Sequence, residues 1–203
     1  MQRFRVTLIV ISGFLLFLGI NDLSLWWRNR TPATIDIAVL VEQGAPTEWL
    51  KVKGGYLDLD RAISTSGSIE LEALLVPLLP VPDREEIRVL VETRNPRVLE
   101  LVRGYHFTPE TVEEQKAFRE KHADEFQARR EVTGMLVSGL IAEGNRDKLL
   151  GLARETGLDI QEDVIFLSEG KIPQLWRGLF FALIAMGTIL KLFWPGSKSG
   201  KKP

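Results

Sequence analysis

The sequence predicts an α+β domain held between two transmembrane helices. Three observations carry that reading: two apolar, nearly uncharged stretches near the ends, a division of charge along the chain, and a hydrophobic period that changes midway from strand-like to helix-like. The 203 residues include 26 Lys or Arg and 27 Asp or Glu, a formal net charge of −1. That balance is a cancellation. Residues 31–171 carry 17 basic and 26 acidic side chains, net −9, whereas the two flanks carry 9 basic residues and the single acid Asp22, net +8. Basic, apolar flanks around an acidic middle are the composition of a membrane protein with one soluble loop.

Composition also removes chemistry. Without cysteine there is no disulfide framework, thiolate metal site or thiol nucleophile. His106 and His122 are the only histidines, too few for a multi-histidine centre, which leaves oxygen sites built from carboxylates. No P-loop, G-x-S-x-G elbow, H-E-x-x-H pair or dinucleotide fingerprint occurs. No catalytic, cofactor-binding or metal residue is therefore assigned, and no cofactor is expected. An acidic domain repels phosphate backbones, so nucleic acid is not an expected partner.

Residues 1–5 are expected as a cytoplasmic N-terminus and 6–27 as the first transmembrane helix. Val6 to Asn21 carries no charge; Arg3 and Arg5 precede it and Trp26 and Trp27 follow. A helix over residues 5–26 rises about 33 Å against a hydrocarbon core of about 30 Å. The stretch NDLSLWW after Ile20 offers no small-x-small cleavage site, so this is read as an uncleaved anchor and not a signal peptide.

Residues 28–171 are expected as an extracytoplasmic domain with an antiparallel β-rich first half and a helical second half. Strands are expected at 34–42, 68–76 and 86–92, each alternating at least in part. WLKVK at 49–53, then Gly54-Gly55, then YLDLD at 56–60 reads as a hairpin with a type I′ turn, which sets Lys51 opposite Asp58. Asp58 and Asp60 could otherwise be taken for an acid/base pair or a cation site; the cross-strand pair explains Asp58 without chemistry. Pro77, Pro80 and Pro82 cannot donate to a ladder, so PLLPVPD reads as an extended connection. Exposed, its Leu78, Leu79 and Val81 form a docking segment for a partner; packed down, they cover the core.

Asn95-Pro96 opens a helix to about residue 104, and Thr108-Pro109-Glu110 opens a charged one to about residue 130. His122 and Glu125 share a face of that helix as a surface pair, and His106 is a loop or core residue; no third metal ligand accompanies either. The stretch 131–143 fits helix or strand, 145–157 is a capped helix, STSGS at 64–68 a turn, and VIFLS at 164–168 a last strand.

Residues 172–194 are expected as the second transmembrane helix. Arg177 and Lys191 leave only 13 uncharged residues between them, but both lie within about a turn of the ends, where long cationic side chains snorkel. Gly178, Ala182 and Ala185 recur at spacings of four and three, a face on which another helix can approach; Ser12 and Gly19 do the same on the first span. A disordered basic tail, 195–203, is expected to be cytoplasmic with the N-terminus, because the tails carry the positive charge.

These features lead us to expect a non-enzymatic two-pass accessory protein of the bacterial cytoplasmic (inner) membrane. Its role would be that of an assembly factor or scaffold, with the bilayer and a membrane or extracytoplasmic protein as partners. A membrane-tethered hydrolase using a carboxylate cluster and a homo-oligomeric membrane-organising protein are the alternatives. In layout alone the chain resembles the Surfeit-type cytochrome oxidase assembly proteins, also two-span with a β-rich outer domain; that likeness brings no site residues with it.

Overall fold

The structure, a computed structural model, describes residues 2–65, 72–82, 84–137, 150–151, 154–155 and 160–193. The chain divides into two compact units: residues 1–30 with 173–203, and residues 31–172. In order, the described elements are α1 (Gln2–Arg28), β1 (Ala33–Asp36), α2 (Ile37–Gln43), β2 (Trp49–Leu57), a 3-10 turn (Leu59–Arg61), β3 (Ile63–Ser64), β4 (Leu74–Leu79), β5 (Ile87–Thr93), α3 (Pro96–Phe107), α4 (Val112–Lys121), α5 (Ala123–Phe126), β6 (Arg129–Leu136), β7 (Ile160–Glu169) and α6 (Leu175–Phe193).

The first unit is a helix pair. The 27 residues of α1 and the 19 of α6 rise about 40 and 28 Å at 1.5 Å per residue, and both helices are long and apolar enough to cross a membrane. They run antiparallel, since Gly19 lies against Gly178 and Ala182 while Asp22, further along α1, reaches back to Arg177. A Cβ at Gly19 would stand 2.8 Å from the Ala182 nitrogen, so glycine is what lets the backbones approach.

The second unit is built on one seven-stranded sheet ordered β1-β2-β6-β7-β5-β4-β3, in which β2 also pairs with β4. That extra pairing closes a ring of β2, β4, β5, β7 and β6. Counted in chain order the ring runs 1-2-3-5-4-1, with β5 and β7 parallel and every other pair in the ring antiparallel. The ring is therefore a closed five-stranded barrel with Greek-key connectivity. The expected antiparallel β-rich first half holds for the β2–β4, β3–β4 and β4–β5 pairs and is corrected at β1, which lies parallel on β2.

Closure depends on Gly54 and Gly55. They do not make a hairpin turn; they lie inside one nine-residue strand. Pairing of β2 with β6 slips by one residue between Val52 and Gly55, and Gly54 has φ 78°, which together make a glycine β-bulge. Before the bulge β2 pairs with β1, after it with β4, so the bulge is where the strand changes partner and turns the barrel corner. Leu78 fills the space a side chain on Gly55 would need. The predicted Lys51–Asp58 pair does not form, because Lys51 on β2 pairs instead with Glu131 of the neighbouring strand β6 at 2.8 Å.

Two apolar clusters flank the sheet. One gathers Leu50, Val52, Val76, Leu78, Val91 and Leu167 from the strands with Val98, Leu101 and Val102 of α3 and Phe126 of α5. The other gathers Leu75, Leu79, Leu90, Val164 and Phe166, with Leu150 packed against it. Strand β4 is buried at every position, which explains why LLVPLL shows no alternation.

Other boundaries move for local reasons. The strand expected at 34–42 stops at Asp36, whose side chain accepts a hydrogen bond from the Ala38 amide at 2.9 Å and starts α2. Thr111, not Thr108, caps α4, and the single helix expected to residue 130 is broken at His122 before α5. The second half is not simply helical, for it supplies β6 and the ten-residue β7. Residues 131–136 are strand; 138–143 lie outside the described residues, as do most of 145–157, parts of 64–68 and 68–76, and the tail from 194.

Candidate functional site

The two aspartates that sequence reading singled out are tied to arginines. Asp58, nearly buried, accepts from Arg61 Nε at 2.6 Å and caps the 3-10 turn through the Asp60 amide. Asp60 accepts twice from Arg119, Nε at 2.8 Å and Nη2 at 2.7 Å. That pairing raises the Arg119 guanidinium above its ordinary value. Asp58 and Asp60 thus each pair with a different arginine.

His122 caps the end of α4, and its Nδ1 lies 2.9 Å from Glu125, which also accepts from Arg97 at 2.8 and 2.9 Å. The His122 hydrogen bond and then Arg97 hold the Glu125 carboxyl below the usual range. His106 stands at the end of α3, edge-on to the Tyr105 ring. Among the described residues no three of His, Asp and Glu are placed to hold a metal ion.

Of the docking segment, Leu78 and Leu79 are each 1% exposed and present nothing to a partner. Proline at 77 does not end the strand: its carbonyl accepts from the Asp58 amide and its register partner is Leu90. Val81, just past the strand, is exposed. Of the helix-packing face, Gly178 meets Asp22 and Leu23, Ala182 meets Gly19, and Ala185 is fully buried, so the three small residues lie within the α1–α6 seam together with buried Ser12. Arg177 is not left to snorkel alone. Its Nε and Nη2 reach the two oxygens of Asp22 at 2.7 and 2.9 Å, a fork-to-fork pair with the only acid of the flanks.

Sequence reading missed one constellation. At the C-terminal ends of the parallel strands β5 and β7 lies an open cleft of about 470 Å³ lined by Glu92, Arg94, Asn95, Ser168, Glu169, Gly170 and Lys171. Register places Glu92 beside Ser168, whose hydroxyl donates to it at 2.5 Å. Burial pushes the Glu92 carboxyl up, while Ser168, Lys171 and Arg94 pull it down and prevail, so it stays ionised below its ordinary value. Thr93 donates to Glu169 across the same two strands. No linear spacing could signal this, because the partners stand 76 residues apart and meet only through a parallel pairing. No protein-family model, curated protein or solved structure matches the chain.

Proposed function

We propose that the protein is a non-enzymatic two-pass membrane accessory protein, an assembly factor or scaffold whose outer acidic barrel binds a protein partner. On this reading it sits in the bacterial cytoplasmic membrane with both termini cytoplasmic, where the basic flanks favour them. The observation that carries it is the α1–α6 seam. Glycine and alanine packing and a bidentate ion pair join two membrane-length helices, and short links at 29–32 and 170–174 lead from them to the two ends of one barrel domain. A domain joined at both ends by short links to a packed helix pair suits a receptor for another protein more than a free catalyst.

The tethered-hydrolase alternative needs carboxylates free to act, and Asp58 and Asp60 are bound to arginines. Gentle solubilisation of the full chain followed by co-purification and mass spectrometry tests the scaffold reading. A reproducible stoichiometric partner is expected, and purification of the chain alone from cross-linked membranes counts against it. A folded Asp58→Asn, Asp60→Asn double variant that loses all cellular function would favour the hydrolase instead.

A further inference from the structure

The cleft at the ends of β5 and β7 is electrically divided. Glu92 is shared: Arg94 Nη2 lies 3.3 Å from one oxygen and Lys171 Nζ 3.5 Å from the other, both at the long end of ion pairing. Two cations thus lean on one anion, and the group keeps a surplus positive charge. Glu169 is the reverse, for its partner is the neutral hydroxyl of Thr93, and among the described residues no cation pairs with its carboxylate. One surplus of each sign within one cleft makes a receptor for a dipolar ligand, a positive group against Glu169 and a negative group between Arg94 and Lys171. An anion alone would meet two carboxylates, and a cation alone two bases.

We propose that this cleft receives the zwitterionic phosphoethanolamine headgroup of a membrane lipid, with its ammonium on Glu169 and its phosphate between Arg94 and Lys171. The inference rests on the membrane-anchored reading above. Lipid is favoured over a free zwitterion by chain length: Lys171 is four residues before Leu175, the start of α6, so no more than about 14 Å of extended chain separates them. Ile172, the residue after Lys171, is exposed and apolar, as suits a segment that meets acyl chains.

The test uses the full chain, delipidated in detergent and offered equal amounts of phosphatidylethanolamine, phosphatidylcholine and phosphatidylglycerol with identical acyl chains; native mass spectrometry reads what is retained. Phosphatidylethanolamine should be retained about tenfold over the other two, because methylation removes the ammonium donors and glycerol has no charge for Glu169. Glu169→Gln, which can still accept from Thr93, should abolish that preference without changing thermal unfolding. Lys171→Ala should lower retention of all three. Equal retention of the three lipids, or a preference that survives Glu169→Gln, overturns the proposal. So does soluble glycerophosphoethanolamine that binds as tightly as the lipid, since the cleft would then take a free zwitterion. Extraction of the chain from membranes by alkaline carbonate would refute the anchored reading separately, whatever the lipid selectivity.

Discussion

Single residues decide how this barrel closes. Gly54 combines φ 78° with a would-be Cβ position 2.8 Å from Asp36 Oδ2, so Gly54→Val strains the backbone and displaces the carboxylate that starts α2. The expected loss is about 1–3 kcal/mol in denaturant unfolding of the full chain. Gly134→Ala should cost at least as much, because its methyl would run into the Ser168 carbonyl, a rigid backbone neighbour on β7. Glu92 makes the barrel sensitive to acid. A carboxyl lowered in the folded state contributes stability that is complete above its ordinary value of 4.5 and is lost as the pH falls through the lower folded value. Glu92→Gln should therefore flatten the fall in stability below about pH 4.5, and an unchanged acid profile would show that Glu92 carries none of it.

At the scale of elements, what was legible depended on how local the cause was. The existence of α1 and α6 follows from long apolar runs, though their ends lie a few residues from the expected 6–27 and 172–194, and the start of α3 follows from its Asn95-Pro96 cap, because each cause is local. The Gly54-Gly55 reading failed for a different reason. Two glycines supply the same backbone freedom to a hairpin and to a bulge, and only the partner strands β1, β4 and β6, all distant in sequence, select the bulge. Strand β4 escaped alternation because both its faces are covered, and its Pro77, with Pro80 and Pro82 just beyond it, suggested a loop where the strand continues. In the helix pair, the small-residue face was visible but the Asp22–Arg177 pair was not, since it spans 155 residues. Arg177→Ala leaves a nearly buried carboxylate unpaired and should weaken association of the two helices by about 3 kcal/mol. Exchanging the pair, Asp22→Arg with Arg177→Asp, should restore most of it; steric-trap or crosslinking measurements in bilayers report both.

For the whole molecule, the two-unit division has a direct consequence. Among the described residues, the buried members of the barrel clusters lie between Ile37 and Leu167, with Ala33 and Ile35 packed against them, so the fragment 31–172 contains a core of its own. Expressed alone, it should be soluble and unfold in one cooperative transition, and aggregation on removal of the helices would show that the barrel depends on them. The alternation of charge, acidic barrel against basic flanks, could be read from sequence because it is a sum over many residues. The Glu92, Ser168, Glu169 and Lys171 cleft could not, because it exists only where β5 meets β7. That pairing also fixes an order of events during synthesis. Strand β7 is the last to leave the ribosome, and until residues 160–169 emerge, β5 and β6 each keep an open edge. The next segment to emerge is α6. Completion of the barrel and emergence of the second apolar helix are therefore consecutive steps of synthesis, and the nascent chain spends most of its elongation as an unfinished sheet with open edges.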